Sequence, residues 1–181
     1  LSERLDAESV HELMNACFAG LGRIVQEHGG HIDKYIGDSI MALFGAPTAH
    51  EDDPVRAAET AIKMQAFVTA FAARHRTGSE EAPPFKMRIG LNCGTVVAGA
   101  IGAAVRRDYS VMGDAVNTAS RLEAAADPGT ILASADFKRR VSRQFAFGPA
   151  RLLHLIGKEK PIEAYVLHGE RQAVAAVTRS S

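Results

Sequence analysis

A helix stopped by two glycines and followed at once by a tight strand pair constrains this chain more than any other feature. Val10, Leu13, Met14, Cys17, Phe18, Leu21, Ile24 and Val25 recur at helical spacing behind Asp6, a candidate cap. Gly29-Gly30 end that helix. His31 to Ile36 and Ser39 to Phe44 are two short β-prone runs separated only by Gly37-Asp38, which reads as a hairpin. With a two-residue loop, Lys34 lies opposite Met41.

The same alternation continues down the chain. Asp53-Pro54, a cap residue followed by proline, opens a second helix with Ala57, Ala61, Met64, Val68 and Phe71 on one face. Arg76 to Pro84 is polar, carries Pro-Pro and reads as a loop. Phe85 to Cys93 and Thr95 to Ile101 look like another strand pair around Gly94. The glycines at 90, 94, 99 and 102 suggest bulges or close backbone approach. A strand at Tyr109 to Met112 leads into a helix capped by Asp114 and running through Ala126. After the Asp127-Pro128-Gly129 turn come a buried strand, Thr130 to Ser134, and a helix near Asp136 to Arg143. A terminal strand pair, roughly Ala150 to Leu155 and Ile162 to Leu167, completes the pattern. Helices interleaved with hairpins predict a mixed sheet covered by helices on at least one face. Residues 1–170 form the domain, and 171–181 a tail or linker.

Composition narrows the function classes. The 181 residues hold 21 basic and 21 acidic side chains, which argues against nucleic acid or an acidic membrane as main partner. The two cysteines, Cys17 and Cys93, are distant and sit in apolar-periodic segments, so buried thiols in a reducing, cytoplasmic compartment are expected rather than a disulfide scaffold. No run reaches the roughly 18 apolar residues that span a bilayer. No signal peptide is visible. The chain opens on Leu1 in a polar, helix-leading segment, and reads as a piece of something longer.

Two constellations could carry chemistry. Asp38 at the hairpin turn can bond its own backbone two residues on, as turn aspartates do. Together with Lys34 it could instead form a nucleotide-plus-metal site, since Mg²⁺ prefers carboxylate oxygens and keeps part of its shell for phosphates. A second acid would then be needed nearby. In the segment from Tyr109 to Glu123, Asn117 and Arg121 are four apart and share a helix face with Asp114. A permanently charged guanidinium beside an amide suits a phosphoryl group and a sugar, although an ordinary amphipathic helix would show the same polar face. The glycines between 90 and 102 match neither a P-loop nor a dinucleotide fingerprint. No nucleophile elbow occurs, and the histidines lack zinc-ligand spacing.

In order along the chain, Gly29-Gly30-His-Ile-Asp-Lys34-Tyr-Ile-Gly37-Asp38-Ser-Ile-Met-Ala-Leu-Phe44 resembles the hairpin motif of class III nucleotidyl cyclases. Asp53-Pro-Val-Arg-Ala-Ala-Glu-Thr-Ala resembles that family's next helix. Arg88 to Gly94 with Val96 to Gly102 resembles its central strands, and Asp108 to Glu123 its most diagnostic segment. Pro128 to Ser134 and Gly157-Lys158 to Tyr165 follow in order.

The resemblance implies an α+β sandwich within the broad α/β class: a ferredoxin-like cyclase fold with a mixed, mainly antiparallel sheet. It also implies a head-to-tail homodimer with shared active sites that turn ATP into 3′,5′-cyclic AMP and pyrophosphate. Asp38 would be one of two metal-binding aspartates, holding Mg²⁺ or Mn²⁺, two ions per site. Lys34 and Ser110 would read the base, and guanylyl cyclases tend to carry glutamate at the Lys34 position. Asn117 would orient the ribose and Arg121 would stabilise the phosphorane-like transition state. Lys158 would contact the triphosphate; Ile156 stands where the family often has a basic residue. The family's first strand, with the other metal aspartate, would precede Leu1, and regulatory domains would be fused outside these residues. The rival readings are a non-catalytic module of the same fold, a diguanylate cyclase and a plain dimerisation domain.

Overall fold

The computed structural model describes residues 7–75, 85–101, 108–154 and 161–172. Helix α1, Ala7–Glu27, buries Cys17, Leu21 and Val25 and ends where the amides of Gly29 and Gly30 bond back to Gln26 and Val25. Strands β1, His31–Ile36, and β2, Ser39–Leu43, then pair antiparallel. Their register sets Lys34 opposite Met41 and Ile36 opposite Ser39, so the loop is the two-residue Gly37-Asp38 turn. Gly37 has φ +59°, a conformation that glycine adopts without a Cβ penalty.

Helix α2, Asp53–Arg74, follows. Strands β3, Ile89–Leu91, β4, Val97–Ile101, and β5, Asp108–Met112, lead into helix α3, Asp114–Ala125. Strand β6, Ile131–Ser134, helix α4, Ala135–Val141, and strands β7, Phe145–Phe147, β8, Arg151–Leu153, and β9, Ile162–Glu170, complete the described fold. The main sheet runs β3-β6-β9-β7, with β8 also on β9; only β3 with β6 is parallel. A parallel pair needs a crossover, and α3 supplies it.

Both faces of this sheet are covered. Successive residues of a strand point to opposite faces. Ile131 and Ala133 of β6 pack with Ala57, Ala58 and Ala61 of α2, Phe137 and Val141 of α4, and Phe145. Leu132, between them, packs instead with Leu122 of α3, Ala126 at that helix's C-cap and Ala164 of β9. A third cluster joins Cys17 and Leu21 of α1 to Val68 and Phe71 of α2, with Ile40 of the hairpin against it. Burial pushes the Cys17 and Cys93 thiols above the ordinary cysteine range; for Cys93, Arg140 works against that rise and Asp53 adds to it.

Three sequence expectations need correcting, and one strand was not anticipated. The strand pair around Gly94 does not form: β3 joins the main sheet and β4 pairs with β5 in a separate ribbon. A Cβ on Gly94 would stand 2.7 Å from the Cβ of Ala115, so Gly94 is a close-approach point against α3 rather than a turn. Asp53 is the first residue of α2 rather than its cap, which is Asp52. The buried Asp53 carboxylate instead accepts from the His50 amide (2.6 Å) and pairs with Arg56. Gly113, rather than Asp114, caps α3. Strand β7, two apolar residues around an alanine, is too short to show a period. Asp6, Gly102, the Arg76–Pro84 loop and residues 173–181 of the tail lie outside the described residues.

Candidate active site

Helix α3 is set by its neighbours' backbones. A Cβ on Gly90 would meet the Ala119 carbonyl oxygen at 2.1 Å and the Glu123 nitrogen at 2.5 Å, so only glycine lets α3 lie directly on β3. The Asn92 side-chain amide donates to the Ala115 carbonyl at 3.0 Å. These contacts fix the helix that carries Asn117, which is exposed, and Arg121, which is half-buried. Their four-residue spacing puts both on one face.

The hairpin is held from its base. Arg56 of α2 donates through Nη1 to the carbonyl oxygens of His28 (3.1 Å) and Gly29 (3.4 Å), just before β1, and through Nη2 to Asp53. Tyr35 stacks at a tilt on Phe18 of α1, ring centroids 5.6 Å apart. Lys34 is half-buried on β1, and Asp38 is exposed at the turn. Strand β1 lies against β5, the strand of Ser110, whose backbone pairs with Gly99; β5 then runs straight into α3. Lys34, Ser110, Asn117 and Arg121 thus stand on consecutive neighbouring elements.

Between the hairpin and the main sheet runs a cleft of about 1760 Å³. Strands β2 and β3 wall it, each hydrogen-bonded to a described strand on one side only. Asp38 and Asn117 both line it, whereas Lys34 and Arg121 are not in its wall. One chain therefore brings Asp38 and Asn117 to the border of the same cleft. Lys158 lies outside the described residues.

Asp38 offers hard carboxylate oxygens suited to Mg²⁺ or Mn²⁺. Among the described residues no three His, Cys, Asp or Glu side chains converge on a metal position. The set fits an ion held by one or two carboxylates and completed by substrate phosphates, not an all-protein cage. Among the described residues no helix is long and apolar enough to cross a membrane.

Sequence reasoning missed two parts of this arrangement. It anticipated close approach at Gly90 and Gly94 without identifying α3 as what approaches. It also gave no role to Asp33, whose buried side chain lies beside Lys34. The only signal for Asp33 was its position next to Lys34.

Comparison with known proteins identifies the family and the fold. The family described as "Adenylate and Guanylate cyclase catalytic domain" matches residues 1–169. Adenylate cyclase 1 of Rhizobium meliloti (strain 1021) is 32% identical over 176 residues, covering 96% of this chain but 26% of that protein. The chain spans about a quarter of the length of the first two such relatives and less of the receptor-type guanylate cyclases. Among solved structures, the adenylyl cyclase CyaB from P. aeruginosa superposes with TM-score 0.82 at 30% identity, covering 94% of this chain and 88% of that one. The guanylyl cyclase Cya2 superposes with TM-score 0.84 at 31% identity, covering 93% and 85%. With the matched family spanning nearly the whole chain and the fold shared, this chain belongs to the adenylate and guanylate cyclase catalytic domains, the class III nucleotidyl cyclases.

Proposed function

We propose that this domain converts ATP to 3′,5′-cyclic AMP and pyrophosphate at sites shared between two copies of the chain. The relatives and neighbours include adenylate and guanylate cyclases alike. The observation that carries the choice of base is Lys34 on β1. A lysine ammonium has donors and no acceptor, so it suits the N1 acceptor of adenine and opposes the N1–H of guanine. Ser110, with a hydroxyl that donates or accepts, serves adenine without enforcing it.

In the reaction the ribose 3′-oxygen attacks the α-phosphorus and pyrophosphate leaves. Arg121 meets the charge that builds on the phosphoryl oxygens, and it does so without losing its proton. Asn117, one turn earlier on α3, holds the ribose for in-line attack. Lys158 would grip the triphosphate. Asp38 would hold divalent ions whose charge neutralises the triphosphate and acidifies the 3′-hydroxyl. The second carboxylate would come from a strand preceding Leu1. The cleft between β2 and β3 suits such a strand, because among the described residues each of the two has a strand partner on one side only.

Sharing between copies follows the family resemblance, in which Asp38 of one copy meets the base- and phosphate-binding residues of the other. It is also supported by the hairpin tip, where Tyr35 (53% exposed) and Ile36 (58%) present apolar surface. The test is complementation in the full-length protein. Asp38→Asn and Arg121→Ala should each be inactive alone and regain cyclic AMP formation when mixed, because one of the two sites is then intact. Two variants each inactive alone and still inactive as a mixed dimer would refute the shared site.

A further inference from the structure

The β1–β2 ladder slips by one residue between Ile32 and Lys34. Ile32 faces Ala42 and Lys34 faces Met41, which leaves Asp33 as the extra residue of a β-bulge. Neighbours on a regular strand project to opposite faces and do not touch. Bulges re-aim side chains. Here the Asp33 carboxylate comes to 3.1 Å from the Lys34 ammonium, with the aspartate side chain 1% exposed and the lysine 36%. Oδ2 of Asp33 is fully buried and takes no well-aligned hydrogen bond. A buried carboxylate in that condition lowers stability, and such groups call for a functional explanation.

We propose that Asp33 is a positioning residue for Lys34, fixing its ammonium so that adenine is told from guanine; this rests on the base-reading role proposed above for Lys34. An ammonium can pair with one carboxylate oxygen and donate to a base from the same nitrogen, so the two contacts are compatible. A lysine stem has many rotamers, and holding it beforehand lowers the ordering cost of binding. The bulge is the device that makes this possible, since without it Asp33 would lie on the far face of β1 from Lys34.

The test uses the full-length protein and 3′-deoxy-ATP and 3′-deoxy-GTP, which lack the attacking hydroxyl and cannot turn over. Each displaces a fluorescent nucleoside triphosphate, and the ratio of their dissociation constants reads base preference apart from catalysis. Asp33→Asn should reduce the preference for adenine about fivefold, within the range of coupling between touching residues. Its melting temperature should stay level or rise, because a buried charge has been removed. In a Lys34→Met background the same change should leave the ratio where Lys34→Met alone puts it. If Lys34→Met collapses the ratio and Asp33→Asn leaves it intact, the positioning role falls and the base-reading role stands. If Lys34→Met leaves the ratio unchanged, both fall. A drop in melting temperature with equal ratio shifts in both backgrounds would make Asp33 merely structural. Asp33→Ser substitutes if Asp33→Asn does not fold, and failure of both to fold would likewise overturn the proposal.

Discussion

Helix α3 and the β1–β2 hairpin carry the proposed chemistry in opposite ways. The helix is fixed by backbone against backbone, with Gly90 under it, Gly94 against Ala115 and the Asn92 amide on the Ala115 carbonyl. The hairpin has one ladder, an exposed tip and a bulge, and it is tied down by side chains from α1 and α2. Backbone packing leaves a helix little freedom to shift. A side-chain tether lets a strand pair settle onto whatever lies next to it. Transition-state charge needs a fixed cation, so Arg121 belongs on the first kind of support. Contact with a second copy suits the second kind.

The largest expected effect lies on the rigid side. Arg121→Ala should lower turnover by about 10²–10³, the loss typical of one charge-stabilising donor, with the melting temperature unchanged. Steady-state kinetics beside a thermal melt separates those two readings. Gly90→Ala should come next, at about 3 kcal/mol of stability, because the new methyl meets backbone atoms of α3 that cannot swing aside. The melt should fall by roughly 6–12 °C for a domain of this size. The contrasting substitution is Gly37→Ala, where nothing stands within 4 Å of the new Cβ and only φ +59° opposes it. That change should cost about 1–2 kcal/mol. Equal losses at Gly90 and Gly37 would erase the distinction between the two supports.

Lys34→Met should leave turnover largely intact and lower the preference for ATP over GTP about tenfold, read from kcat/KM with each nucleotide; a tenfold change corresponds to about 1.4 kcal/mol. The smallest effect concerns the thiols. With burial holding both above the ordinary cysteine range, less thiolate is present at pH 7 than in an unhindered thiol. Alkylation by iodoacetamide should be slow at pH 7 and accelerate only in alkaline solution. Rapid labelling of Cys93 at pH 7 would contradict its placement against the core formed by α2, β6 and α4.

Much of this was legible in the residues because it depends on short-range pattern. The α1 stripe, the Gly37-Asp38 turn with Lys34 opposite Met41, and the final β8–β9 pair follow from periodicity and turn chemistry. What failed depends on contacts distant in sequence. Gly94 looked like a turn because a glycine between two β-prone runs cannot announce that Ala115 lies against it. Asp53 looked like a cap because Asp-Pro opens helices. Its burial with Arg56 is set by the loop after β2 and by the end of α1, which meet only in the fold. The site was visible as motifs, and its division between a fixed helix and a tethered hairpin was not. The Asp33 bulge was hidden for a similar reason, since a one-residue slip leaves no trace in the apolar pattern of a strand this short.

The central claim is that these residues make a cyclase that selects ATP. Its most direct test is the product formed by the full-length protein with Mg²⁺ or Mn²⁺ when ATP and GTP are supplied separately at equal concentration, with cyclic nucleotides quantified by chromatography. The account predicts cyclic AMP well in excess of cyclic GMP, with formation collapsing in Arg121→Ala. No cyclic nucleotide from either substrate, or cyclic GMP formed at an equal or greater rate, would contradict it.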